Sequence, residues 1–239
     1  MEKPKKKLLT EKEAGKALDR IYSLTMDGIP KISASVDELA ENYLTKNVSA
    51  EKAATSLVRT QILKCGTSGF VTNLGGFITL PVAIPANISS VLYVQMRMIA
   101  AIAKIGGYDI KSDQVQTMVY ACLVGKAASD ILKKVGIDVG QKGLNAAIDK
   151  IPGKVLTAIN RKIGFRLLTK FGEKGSINLC KLIPVAGGAI GAGFDAVSTK
   201  IIAANAIKMF LCGDSAKEIV ILDYVEAKED ESESVEEII

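Results

Sequence analysis

Cys65, Cys122, Cys180 and Cys212 are the side chains of this sequence best suited to nucleophilic, redox or metal chemistry, and their spacing argues against all three. They lie 57, 58 and 32 residues apart, so no pair has the close interval of a zinc or dithiol motif. Free buried thiols in a reducing compartment are the simpler expectation. The sequence has no histidine. That removes Ser-His-Asp and Cys-His catalysis, imidazole metal sites and the usual general base near neutral pH. Gly187-Gly188-Ala189-Ile190-Gly191-Ala192-Gly193 resembles a dinucleotide loop in glycine count alone, because no strand precedes it and the GxGxxG order is missing. No pair of carboxylates stands in an apolar setting. The expectation is a protein with no catalytic residues, cofactor or metal; an enzyme remains only as a site assembled from distant parts of the chain.

What stands out instead is a stretch of 32 residues, Cys65 to Met96, without Asp, Glu, Lys or Arg. It is rich in glycine, broken by Pro81 and Pro85, and still carries Asn73 and Asn87. Surface helices normally alternate an apolar face with a charged one, so this run belongs in a core, around an apolar cavity, or against a bilayer. About 20 apolar residues suffice to cross a membrane. The two prolines and the scattered Asn, Ser and Thr side chains argue against a simple span, since polar groups in hydrocarbon are costly unless paired. A fold that hides the run and can present it to a membrane or an apolar ligand fits better.

With 239 residues, 48% hydrophobic and only 5% aromatic, the chain can bury a large core of Ala, Val, Ile and Leu. Its mean hydropathy of +0.24 is high for a protein with 24% charged residues. The net charge of +5 conceals a division: residues 226–239 carry seven acids and one lysine, or −6, leaving +11 on residues 1–225. The acidic segment is expected to be a disordered, solubilising tail. After Lys5-Lys6-Lys7 no apolar stretch follows, so no secretory signal is expected and a cytoplasmic location is.

Hydrophobic spacing predicts helices throughout. Ala14, Ala17, Leu18 and Ile21 mark one over residues 10–25. Ser35 and Glu38 have capping-box spacing and open a second, to about Leu44. Ser49 caps a third, with Ala54, Leu57, Val58 and Ile62 along one side. From Ser89 to Ile105 the helix is apolar almost all round, Gln95, Arg97 and Lys104 excepted, which predicts a central or membrane helix. Gly106-Gly107 stops it. Ser112 caps a further helix with Val115, Met118, Val119 and Cys122 on one face and Lys126, Asp130 and Lys134 on another, ended by Gly136. Only Ile219 to Leu222 looks strand-like, too little for a sheet. The sequence therefore predicts an all-α, single helical-bundle domain over residues 10–225 with Gly-rich central hydrophobic helices, a basic lead over 1–9 and the acidic tail over 226–239.

Two signals bear on binding. Gly187 and Gly191 form GxxxG, which allows close helix approach in a packed domain or in lipid. More specifically, Lys150, Lys154, Arg161, Lys162, Arg166, Lys170, Lys174 and Lys181 face Glu173 alone between 150 and 181, a net +7. Val155, Leu156, Ile159, Ile163, Phe165, Leu167, Leu168 and Phe171 are interleaved with them. Such a mixture suits a surface lying on anionic lipid. The charges do not fall on one clean helical face, Gly164 offers a bend, and an ordinary solvated basic face is the plain alternative. Nucleic acid is a poor fit, with few stacking aromatics and no recognition motif.

TSGFVTNLGGFITLPVAIPANISSVLYVQMRMIAAIAKIGGYD, followed by SDQVQT, resembles the central signature of the EcsC protein family. IPGKVLTAINRKIGFRLLTKFGEKGSINLCKLIPVAGGAIGAGFDAVSTK resembles its C-terminal signature. The likeness runs in continuous order from about Glu11 to Phe210; the charged tail after Lys228 departs from the plainest members. The family takes its name from a bacterial protein encoded beside the two components of an ABC transporter. The resemblance implies a cytoplasmic, helical, membrane-associated bacterial protein and carries over no catalytic residue.

Together these readings predict a non-catalytic protein that binds membranes peripherally. Arg161, Lys162, Arg166 and Lys170 would attract anionic headgroups, while Phe70, Leu74, Phe77, Ile78 and Leu80 would insert. The alternatives are a carrier enclosing a lipid or other apolar ligand, and an accessory subunit docking on a membrane protein such as a transporter.

Overall fold

Each helix near the start of the chain begins where a short polar side chain can satisfy amide groups that the first turn leaves open. In the computed structural model, which describes residues 10–66, 86–125, 127–137, 144–171 and 190–211, α1 spans Glu11–Asp27 and opens on a capping box. The Glu13 N–H donates to the Thr10 hydroxyl at 3.3 Å, and the Thr10 N–H donates to the Glu13 carboxylate at 2.8 Å. The expected box at Ser35 and Glu38 opens α2, Val36–Lys46, whose first turn carries Asp37 and Glu38 and whose last carries Lys46, complementing the helix dipole. Ser49 caps α3, Ala50–Gly66, accepting the Lys52 N–H at 3.2 Å. Ser35→Ala removes one reciprocal cap and should cost about 1 kcal/mol, read as a lower urea midpoint with an unchanged slope.

α4, Ala86–Ile105, is the centre of the molecule. Every residue from Ser89 to Ala103 is buried, so the last eight residues of the uncharged run, Ser89 to Met96, lie in a core helix. It ends in a Schellman arrangement: the Tyr108 N–H reaches the Ala103 carbonyl at 3.1 Å and the Gly107 N–H the Lys104 carbonyl at 3.0 Å. Gly107 holds φ +83°, a left-handed conformation that suits glycine.

Ser112 then caps α5, Asp113–Leu123, with Val115, Met118, Val119 and Cys122 buried as expected. The single helix expected from Ser112 to Gly136 is in fact two. The Val124 and Gly125 N–H groups donate three residues back to Ala121 and Cys122, and Gly125 turns left-handed at φ +63°. The chain restarts as α6, Ala127–Lys133, which Gly136 closes at φ +81°. Three further helices are described: α7 Leu144–Asp149, α8 Gly153–Phe171 and α9 Ile190–Phe210. The fold is all-α; among the described residues there is no strand beyond one isolated bridge between Ile29 and Ser33.

α1, α2, α3, α5 and α9 all pack on α4, and α8 closes the bundle against α1 and α5. Because α4 is apolar all round, its few polar side chains fix how the outer helices dock. Gln95 donates to Ser198 and Thr199 of α9 at 3.1 and 3.0 Å. Arg97 donates to the Ala34 carbonyl at 2.7 Å. Tyr93 shares a hydrogen bond with Ser33. Lys104 pairs with Asp37 at 2.7 Å, but both are about half exposed, so the pair adds little stability. Elsewhere the Tyr22 hydroxyl donates to the Ile110 carbonyl and the Tyr120 hydroxyl to Asp19, anchoring α1 to the turn before α5 and to α5 itself.

Cys122 is a buried free thiol, and burial pushes its pKa up, away from the nucleophilic thiolate. The side chain of Cys65, and Cys180, Cys212, the strand-like Ile219–Leu222 and the acidic tail, lie outside the described residues.

Candidate functional site

α8 begins where Pro152 and Gly153 end the preceding turn, with the Val155 and Leu156 N–H groups both donating to the Pro152 carbonyl. Leu156, Ile159 and Ile163 recur at helical spacing and are buried. They seat the helix against α1, α5 and α6, and Asn160 ties it to Thr117 of α5 at 3.2 Å. Gly164 is no bend. The helix passes through it without interruption, and the glycine is buried.

The other side of α8 is open. Lys154, Thr157 and Arg161 are exposed and follow one another at i, i+3 and i+7, with Lys162 exposed beside Arg161. From Gly153 to Phe171 the helix holds Lys154, Arg161, Lys162, Arg166 and Lys170 and no carboxylate. At about 100° per residue, Arg166 and Lys170 stand roughly 140° and 180° round the helix from Arg161. Measured from Lys162, however, Arg166 (i+4) and Lys170 (i+8) stand only about 40° and 80° away; of the four expected cations Arg161 and Lys162 are exposed, and Arg166 and Lys170 follow Lys162 along the helix with their side chains outside the described set. Lys154 joins the exposed line. Its interval of seven from Arg161 was the signal, visible in the sequence once a continuous helix is granted.

Phe70, Leu74, Phe77, Ile78 and Leu80, the expected insertion residues, lie outside the described residues, as do Gly187 and Lys174. Among the described residues no helix is long and apolar enough to cross a membrane, and no cluster of His, Cys, Asp and Glu could hold a metal ion. The arrangement offers electrostatic attraction along one helix, held rigid by an apolar inner side.

Structure and site together define a helical protein packed around one helix buried from Ser89 to Ala103, with a cationic helix on its outside. The chain belongs to the EcsC protein family, whose sequence profile matches residues 7–211, a range that includes every helix described above. No curated protein and no solved structure matches it.

Proposed function

We propose that this protein is a non-catalytic, peripheral membrane-binding protein that docks on the anionic cytoplasmic face of a membrane through α8. The observation that carries the reading is the exposed line Lys154–Thr157–Arg161 with Lys162, on a helix without a single acid. An anionic surface attracts each such cation by about 1 kcal/mol, and the attraction fades beyond a Debye length, roughly 8 Å at physiological salt. Rigid seating matters because side chains fixed on a packed helix meet a flat surface together. The lack of a membrane-crossing helix among the described residues accords with contact at the surface.

Co-flotation of the full chain with vesicles tests this. The expected result is flotation with vesicles rich in phosphatidylglycerol at low salt, its loss at about 0.5 M salt, where the Debye length shrinks to roughly 4 Å, and none with phosphatidylcholine alone. Salt-resistant binding to both would transfer the role to the uncharged run. Absence of flotation would eliminate direct lipid binding and favour docking on a membrane protein such as a transporter.

A further inference from the structure

Among the described helices, α8 alone combines exposed, uncommitted cations with a complete lack of acids. α4 also lacks acids, but its Arg97 is buried and its Lys104 is taken by Asp37 of α2. Every other helix carries at least one carboxylate. One segment of the same chain has the opposite composition. Residues 226–239 hold seven acids against Lys228, a net −6, and α8 holds five cations, a net +5. The acidic segment lies beyond the family profile, which ends at residue 211, the last residue of the described bundle.

The end of α9 leaves the chain close to α8. Met209 meets Cys122 of α5, sulfur to sulfur at 3.9 Å, and Asn160 of α8 reaches Thr117 of the same helix at 3.2 Å. Thr117 and Cys122 are five residues apart, about 7.5 Å along α5. Passing both α5 and α8 takes two helix diameters, roughly 20–24 Å. Glu229 follows Leu211 by 18 residues, which cover about 60 Å if extended and about 27 Å if helical. Either way the acids reach the outer side of α8. Attachment to the same chain places them there at an effective concentration in the millimolar range, so even weak ion pairing is populated.

We propose that the acidic segment 226–239 lies on the exposed line of α8 and holds it off anionic surfaces, so that tail and membrane compete for Lys154, Arg161 and Lys162. This rests on the reading of α8 as the membrane-facing helix and supplies its regulation. Only a surface dense enough in anionic lipid displaces the tail.

Two measurements on the full chain test it. Without lipid, a carbodiimide joins carboxylates to amines in direct contact, at low salt and at micromolar protein, where contact within one chain dominates. Links from the tail to Lys154 and Lys162 should exceed those to the equally exposed Lys52 and Lys133 by about fivefold or more, and vanish in high salt. In the second, the acids at 229, 230, 231, 233, 236 and 237 become amides, which leaves Glu226 balanced by Lys228 and takes the segment from −6 to 0. With the line covered about four-fifths of the time in the parent, the neutral variant should bind phosphatidylglycerol vesicles about fivefold more tightly at low salt. Tail acids that link to α8 no more than to Lys52 and Lys133 overturn the proposal even where the neutral variant binds more tightly, because general repulsion from the vesicle explains that gain. A neutral variant no tighter than a parent that floats overturns it too. If neither protein floats while the α8 links stand, the tail contact holds and membrane binding by α8 is what fails.

Discussion

Replacing Lys154, Arg161 and Lys162 together with glutamine should weaken binding to anionic vesicles by about a hundredfold at low salt. Three cations at about 1 kcal/mol each sum to about 3 kcal/mol, or roughly two decades in affinity. All three side chains are exposed, so the variant should unfold within about 0.5 kcal/mol of the parent, and the loss can be read as binding rather than misfolding. A companion variant, Arg166→Gln with Lys170→Gln, removes the two cations that follow Lys162 at i+4 and i+8, and a loss of up to about 2 kcal/mol there would extend the contact along α8. In high salt the parent should fall to the level of the triple variant, since screening and neutralisation remove the same attraction. A triple variant that floats like the parent at low salt would end the assignment to α8.

Gly106→Ala should destabilise the protein by about 3 kcal/mol. A Cβ at this position would run into the backbone carbonyl oxygen of Phe210, where the ends of α4 and α9 meet. Backbone cannot swing aside as a flexible side chain can, so the end of α9 must retreat. Overpacking of this kind costs about 1–3 kcal/mol. Retreat would also disturb the edge-to-face contact of Tyr108 with Phe210, whose ring centroids are 5.0 Å apart at 78°. Such a pair adds about 0.5–1.5 kcal/mol. Gly107→Ala is the contrast, one residue away. There φ is +83° but nothing lies within 4 Å of the added carbon, so the cost is the left-handed strain alone, about 1 kcal/mol. For a chain of this size the difference corresponds to roughly 4–8 °C in Tm. If Gly107→Ala proved the more damaging of the two, the α4–α9 junction would not be where the structure puts it.

Much of this architecture is written in local signals. Ser35 with Glu38, Ser49 and Ser112 each announce a helix start, and the structure places a cap at each. Thr10 and Glu13 carry the same capping-box spacing and could have been read the same way. Ser89–Ile105 was legible as central because a helix apolar on every side has no face for water. The break at Gly125 was not. The stripe of Val115, Met118, Val119 and Cys122 gave way to the spacing of Lys126, Asp130 and Lys134, and no proline marked the turn. At Gly164, by contrast, the helix runs on without interruption. On the candidate site, the charge of α8 was legible but its sidedness was not, because the angular position of each cation depends on an unbroken helix. Arg97, one of two cations in an otherwise apolar helix, stood out in the sequence, but its bond to the Ala34 carbonyl appears only when α4 packs beside the turn before α2.

The exposed line of α8 is the surface proposed to meet the membrane. Thr157 lies on that line between Lys154 and Arg161 and is exposed. The most direct measurement places the photo-crosslinker p-benzoylphenylalanine at Thr157, or at exposed Asn42 on α2, and illuminates the full chain bound to phosphatidylglycerol vesicles. Lipid adducts formed from position 157 and lost in high salt, with few from position 42, are the result expected. Floating protein that gives adducts at position 42 and none at position 157 would contradict it.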